Sequence, residues 1–447
     1  MSERSDRTRR ARRAIQAALA SAVGRALTMT FGLVSVPILL KNLGIEKFGI
    51  WSAIVWLPTL APILDFGLSS GLVNLLARAE SRGEEAVRRK CVATAFWVLS
   101  ALGVLLFGLS ILVMAGTPGP VQLFGEEMAA RPSQYASLML ALVGLLLPFS
   151  VVYRIQFALQ DGAYGNAGYT IALLAGNVSA LASSFYTHSI GRLVIAFLLP
   201  QVLIGVVWSY LYYRVVRPDL WPGLAVIDGS LARELLKRGF VFFLIQISGI
   251  AVFYADSAIL LWLKGAVVAG TYAIVQRAAS SISTLAEMLL QPLWPAYADA
   301  KYKGDHAWSR ALFSRSVQAS VFGALLCSAV LVYWRTPIFS LWLRRTYEVD
   351  MFLLFGVLTA ATMQAAGSAL AMYLNANDLL WFEAKCAIAM LAVGIPAKVL
   401  LVGRLDASGV AWGTVVSYAL AVLIPCCLLL VGHPLMRANQ GASLDRT

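Results

Sequence analysis

Four ionisable side chains sit inside apolar runs long enough to cross a bilayer. Arg25 lies within 14–40, Asp65 within 50–77, and Arg277 and Glu287 within 268–298. A spanning helix takes roughly 20 apolar residues, and a charge at the bilayer centre costs about 3 kcal/mol on insertion scales. A chain that carries several such charges either cancels them in buried pairs or uses them on a polar cargo. At about 1.5 Å per residue, Arg25 and Asp65 both fall about 22 Å from the outer interface, and Asp256 and Arg277 fall roughly 10 and 14 Å from it. The spacing therefore predicts two pairs, Arg25 with Asp65 and Asp256 with Arg277. Two roles fit them. They are structural ion pairs that fix helix contacts, or they line a hydrated cavity in which the arginines attract an anionic group while the acids tune them or carry a coupling cation, H+ or Na+. Arg154 and Lys398 complete the set of cavity candidates. Each lies within five residues of a predicted helix end, so snorkelling to the interface is the first reading of each. Gln201, Gln246, Gln276, Gln364 and Asn177 are also intramembrane, where interhelical hydrogen bonds are worth about 0.6 kcal/mol each.

The elements that must hold these residues are helices. The chain has 447 residues, 59% of them hydrophobic and 13% charged. A soluble domain has about a quarter charged residues, so the fold class is an all-α polytopic membrane protein. Twelve spans are expected, at about 14–40, 50–77, 91–115, 135–159, 165–187, 190–214, 239–263, 268–298, 311–334, 349–374, 379–402 and 408–432. The loops after even-numbered helices are rich in Lys and Arg: Arg78, Arg82, Arg88, Arg89 and Lys90; then Arg214, Arg217, Arg233, Lys237 and Arg238; then Lys301, Lys303 and Arg310. That bias places both termini in the cytoplasm. The basic tail 1–13 resembles a signal n-region, but the apolar run after it is too long for a cleaved signal, so a retained first helix is expected. In the second helix, Pro58 and Pro62 each remove an intrahelical hydrogen bond, and Gly67 and Gly71 follow. The freed backbone groups must be buried in protein or face water, which predicts a bent helix around Asp65.

The two halves of the chain echo each other. Gly44, Gly49 and Trp51 between helices one and two match Gly265, Gly270 and Tyr272 between helices seven and eight, at an offset of 221 residues. Asp65 follows Gly49 by sixteen residues and Glu287 follows Gly270 by seventeen. The expected organisation is a tail (1–13), an N-lobe of six helices (14–214), a polar linker (215–238), a C-lobe of six helices (239–432) and a C-terminal tail (433–447). The two lobes are expected to be pseudo-symmetric around a central cavity, an arrangement known among transporters.

Several function classes are excluded. The net charge of +13 follows the positive-inside pattern, which argues against nucleic acid as a partner. Cys91, Cys327, Cys386, Cys426 and Cys427 lack C-x-x-C spacing and read as buried free thiols. His188, His306 and His433 show no metal-ligand spacing, so no metal or cofactor is expected. No nucleophile elbow, Walker motif or paired carboxylate on an outer loop occurs. The longest outer stretch, 116–134, is short for a glycan polymerase or glycosyltransferase, which makes that class the weakest alternative.

The run Val36-Pro37-Ile38-Leu39-Leu40-Lys41-Asn42-Leu43-Gly44-Ile45-Glu46-Lys47-Phe48-Gly49-Ile50-Trp51 resembles the first loop of Wzx-type polysaccharide flippases, and Leu64-Asp65-Phe66-Gly67-Leu68-Ser69-Ser70-Gly71-Leu72 resembles their second helix. Asp256, Leu263-Lys264-Gly265 and the segment Gly270-Thr271-Tyr272-Ala273-Ile274-Val275-Gln276-Arg277 are similar to the corresponding seventh and eighth helices. These flippases belong to the superfamily that also holds multidrug extruders and lipid II flippases. The resemblance implies a MATE-like fold. It also implies translocation of an undecaprenyl-pyrophosphate-linked oligosaccharide to the periplasmic leaflet of a bacterial inner membrane, by a monomer working beside a polysaccharide polymerase and chain-length machinery. Arg25, Asp65, Arg154, Asp256, Arg277, Glu287 and Lys398 are the candidate cavity residues. The runner-up is a cation-coupled exporter of small amphiphiles, which predicts an acidic cavity.

Overall fold

The computed structural model describes residues 2–116, 132–159, 161–224, 227–290, 305–377 and 379–432, with 293, 297 and 300 between them; of these, side chains are described from Leu19 onward except at 62, 70, 74, 77, 81, 132, 238, 242, 306, 380 and 430–432. The outer stretch 116–134, Lys301, Lys303 and the C-terminal tail lie wholly or largely outside these residues, as do the side chains of the basic N-terminal tail.

Among the described residues no strand occurs. Helices α1 (Ser2–Ile54), α2 (Ala61–Leu64), α3 (Leu68–Ser81), α4 (Glu85–Ala115), α5 (Pro132–Ala158), α6 (Gly162–Ser183) and α7 (Ile190–Leu211) precede the linker. Helices α8 (Gly229–Phe253), α9 (Asp256–Lys264), α10 (Ala266–Leu290), α11 (His306–Tyr333), α12 (Arg335–Leu343), α13 (Met351–Ala376), α14 (Leu380–Leu405), α15 (Ala407–Tyr418) and α16 (Ile424–Gly432) follow it. Each of the twelve expected segments contains helix among the described residues, in the expected order. Eight are long and apolar enough to span a membrane on length and composition, and the bent α8 makes a ninth. The broken second segment, α6 and α10 fall short of that test. The last two are continuous helices of 22 and 25 residues, so polar content rather than length holds them back.

Contacts divide the chain into two units, Met1–Ile247 and Ser248–Thr447. In the first, α4 packs along α5, α6 along α7, and α1 along α6. Its core is built from Leu68, Leu72, Val92, Leu99, Val152, Ile155 and Tyr212. In the second, α14 packs along α15 and α10 along α13, with a core around Tyr297, Phe313, Leu370 and Tyr373.

The internal repeat is visible in the backbone. Gly44 interrupts α1 with φ 77 and ψ 166, and Gly265 separates α9 from α10 with φ 89 and ψ 175. Both occupy a region open essentially to glycine alone. The same sharp break therefore recurs at the same register in each half. Helix one runs on to this break, beyond the expected end near 40.

Two predicted spans are interrupted. The second bends through a 3-10 turn at Leu57–Leu60 and again at Asp65-Phe66-Gly67, where Phe66 (φ 52) and Gly67 (φ 77) are both left-handed. The prolines and Gly67 account for this bend, since each proline lacks an amide hydrogen. The seventh breaks at Tyr254-Ala255, so Asp256 starts a new helix.

The linker is tied down within the first unit. Arg88 pairs with Glu80, while Arg217 reaches Glu80 at 3.5 Å and Asp219 at 3.1 Å. Trp97 donates to the Pro222 carbonyl at 3.1 Å, and the Asp228 amide donates to Thr94 Oγ1 at 3.0 Å. The five cysteines are free. Cys91, Cys386 and Cys426 are buried as expected; Cys327 and Cys427 are exposed, because each falls on the outward face of its helix.

Candidate functional site

Each unit carries a polar face on membrane helices, and each is described separately.

In the first unit the face is built where α1, α5 and α6 meet. Gly24 brings α1 against α6: a Cβ there would lie 2.3 Å from Thr170 Oγ1. The neighbouring residues on each helix, Arg25 and Tyr169, are thereby drawn together. The Tyr169 phenol lies in the electrostatic reach of both Arg154 and Arg25. Tyr169 as a residue is 55% exposed, and its ring meets the ring of Tyr153 edge-on, with centroids 5.8 Å apart. Arg154 is exposed and Arg25 half-buried. Behind them, the Tyr153 hydroxyl and both amide atoms of Gln156 are buried without a hydrogen-bond partner in the structure.

Asp65 is buried at the bend of the second segment. Its carboxylate accepts the Gly67 amide at 2.7 Å and the Ser69 amide at 3.3 Å. Arg154 is its charged neighbour. The expected match of Asp65 with Arg25 is thus replaced: Arg154 faces the acid, and Arg25 shares Tyr169 with it. The depth count that matched Arg25 to Asp65 assumed a straight helix, and the bend cancels it. Arg154, for which snorkelling was also expected, is exposed and acts electrostatically on both Asp65 and Tyr169.

In the second unit Asp256 does not pair with Arg277. Its carboxylate accepts hydrogen bonds from the Lys398 ammonium on one oxygen and the Tyr272 hydroxyl on the other. Lys398 also donates to the Val252 carbonyl, which the break at Tyr254-Ala255 leaves without its helical partner. Lys398 is 0% exposed. It is no snorkelling residue, because α14 turns it inward and Gly413 of α15 leaves room for its stem. The triad is buried inside the second unit.

Arg277 is exposed on α10 beside Tyr254. Below it run Ser280, Ser281, Thr284 and Glu287, spaced three, four, seven and ten residues on. That spacing places all five on one helical face. The opposite face holds Tyr272, Ala279, Ile282, Ala286 and Leu290, all buried. The serine and threonine hydroxyls return to the backbone of their own helix; Ser280 and Ser281 both donate to the Arg277 carbonyl. Glu287 is half-buried and acts electrostatically on Tyr418. A membrane helix with one polar stripe turns that stripe to protein or water, since a charged side chain against acyl chains is costly.

Sequence reasoning marked Tyr272 only as part of the repeat, and it missed Tyr169, Tyr153 and the small hydroxyl residues of α10. The last left a signal, a 3.6-residue polar period between Arg277 and Glu287. Tyr169 and Tyr153 left none, since aromatic residues are common throughout the chain.

The model of a family described as polysaccharide biosynthesis protein matches residues 15–301, well over half of the chain. This chain belongs to that family. A putative O-antigen transporter of Salmonella typhi is 24% identical over 279 residues, a match that takes in 61% of this chain and 62% of the relative's length. Among solved structures, the lipid II flippase MurJ in an inward closed conformation gives a TM-score of 0.70 at 14% identity, covering 92% of this chain and 87% of that one. An inward-facing multidrug resistance MATE family transporter of the MOP superfamily gives 0.68 at 14% identity, covering 95% and 99%. These likenesses establish a MATE-like fold over most of the chain. By their own descriptions these relatives and structural neighbours are a putative O-antigen transporter, a lipid II flippase and a multidrug transporter.

Proposed function

We propose that this protein is a flippase that moves an oligosaccharide linked to undecaprenyl pyrophosphate from the cytoplasmic to the periplasmic leaflet of the bacterial inner membrane. The observation that carries the reading is the convergence of Arg25, Arg154 and Tyr169 on one open face of three apolar helices. The physical task explains the arrangement. Each unpaired hydroxyl placed in hydrocarbon costs roughly 2–7 kcal/mol, so an unaided oligosaccharide meets a barrier of tens of kcal/mol. A hydrated, cationic cavity lowers it, while the lipid tail stays in the bilayer. Guanidinium groups suit the pyrophosphate because they form paired, charge-assisted hydrogen bonds to phosphate oxygens. Arg277 and the hydroxyl stripe of α10 are a second polar face of the same kind in the other unit, and transport is by alternating access.

Outward movement of an anion is downhill when the cell interior is negative, by about 2.3 kcal/mol per charge per 100 mV. The membrane potential therefore contributes to the step unless cations travel with it. The acids Asp65 and Glu287 are candidate carriers of such a cation. Both termini are cytoplasmic in this reading. The protein acts as a monomer that hands its cargo to a polysaccharide polymerase and its chain-length machinery. A drug exporter driven by cations predicts acids without arginines on the polar face, and the face carries arginines.

The test is a deletion strain complemented with Arg25→Ala, Arg154→Ala or Arg277→Ala. Surface polysaccharide falls several-fold and lipid-linked intermediate accumulates, at unchanged protein level in the membrane. Normal export by all three variants contradicts the reading.

A further inference from the structure

We propose that Tyr169 is the residue that reads the first sugar of the cargo, with its exposed ring as a stacking surface for a pyranose joined to phosphate. The inference rests on the flippase reading and names the part of the site that contacts the glycan rather than the lipid phosphate.

Three observations carry it. First, the ring is open: Tyr169 is more than half exposed, although it lies seven residues inside α6, about 10 Å along the helix from Gly162. Second, the ring is held. Tyr153 abuts it edge-on at 78° with centroids 5.8 Å apart, an arrangement that favours aromatic pairs and restricts the ring's rotation. Third, the charges are in place. Arg25 and Arg154 both act on its phenol, so a phosphate held by either guanidinium brings the sugar bonded to it beside the ring. An aromatic ring offers an apolar face to the axial C–H groups of a pyranose and a hydroxyl to its polar edge, the amphipathic match that suits tyrosine to half-wet sites. A lipid-facing role for this ring fits poorly, because two arginines share its surroundings and would face hydrocarbon with it.

Position supports the role. Arg154 lies four residues before the end of α5 and Tyr169 seven after the start of α6, both within two turns of the corner that joins these helices. The charge pattern of the sequence places that corner on the cytoplasmic side, where the cargo enters. A check on the first sugar at entry separates a loaded carrier from the bare lipid.

The experiment measures binding of two probes to purified protein in nanodiscs by microscale thermophoresis: undecaprenyl pyrophosphate, and undecaprenyl-pyrophosphoryl-N-acetylglucosamine. The wild type binds the sugar-bearing lipid about tenfold more tightly than the bare lipid. Tyr169→Ala brings that ratio close to one, and Tyr169→Trp keeps most of it, which separates stacking from a structural defect. Arg25→Ala and Arg154→Ala weaken binding of both probes. A wild type without preference, or a Tyr169→Ala protein with the wild-type ratio, overturns the assignment of Tyr169 and leaves the flippase reading standing. A wild type that binds neither probe overturns both.

Discussion

Lys398 of α14 and Asp256 of α9 form an ion pair inside the second unit, 142 residues apart in sequence and closed off from solvent. Tyr272 holds the far oxygen of the acid and the Val252 carbonyl a second proton of the amine, so every strong partner of the pair comes from protein. Such a pair gains little net stability over a well-packed apolar replacement, but removing one partner strands the other charge at a cost of about 3–5 kcal/mol. Lys398→Met and Asp256→Leu are therefore each strongly destabilising, and the double variant recovers most of the loss. Thermal unfolding in detergent, set out as a double-mutant cycle, checks this. Additive losses sink it.

The breaks at Gly44 and Gly265 give a second prediction. A Cβ at either meets nothing within 4 Å, so any penalty is conformational and not steric. Gly44→Ala and Gly265→Ala each cost about 1–3 kcal/mol, because alanine does not adopt positive φ with extended ψ cheaply. Gly323→Ala and Gly403→Ala, equally uncrowded but within helices, are neutral or slightly stabilising. Melting temperatures of the four variants, compared side by side, decide the matter.

Much of this architecture was legible in the sequence. Apolar runs fix the helices because a bilayer demands intrahelical hydrogen bonding. The matched glycines marked the repeat, and Pro58, Pro62 and Gly67 marked the broken second span. The partners of the buried charges were not legible. Depth counting gave Asp256 to Arg277, but a break at Tyr254-Ala255 resets the helix on which Asp256 sits, and the rotation of α14 decides where Lys398 points. Neither rotation nor bend is written in hydropathy. Tyr169 gains its interest only from the packing of Gly24 on Thr170, a contact 146 residues long-range in the chain.

That packing supports a third prediction. Gly24→Leu forces α1 away from α6, since even a Cβ there would lie 2.3 Å from Thr170 Oγ1. Arg25 then loses its position beside Tyr169. Export falls several-fold, whereas Gly108→Leu, at a site with nothing within 4 Å, leaves it near normal. Quantifying surface polysaccharide in complemented cells separates the two; equal export contradicts the placement of Arg25.

The linker carries a pH dependence. The Ser230 hydroxyl, the Leu231 and Ser230 amides and Lys90 hold the Asp228 carboxyl down to about 2, below its ordinary 3.8. A depressed carboxyl stabilises the fold above its unfolded value, and that contribution is lost as pH falls through the folded one. The turn that starts α8 thus loosens between about pH 4 and pH 2, and Asp228→Asn removes that part of the response. Limited proteolysis at 217–231 across this range reads it out. An unchanged profile in the variant sinks the idea.

The central claim is that polar faces on membrane helices meet water inside the protein. The most direct measurement places single cysteines at Tyr169, Ser280 and Thr284 in a cysteine-free background, with controls at the outward-facing Leu289 and Phe322, which are 79% and 71% exposed on their helices. A membrane-impermeant thiol reagent is then applied to inside-out vesicles. The account predicts rapid labelling at 169, 280 and 284 and little at 289 and 322. Labelling of the first three no faster than the two controls contradicts it.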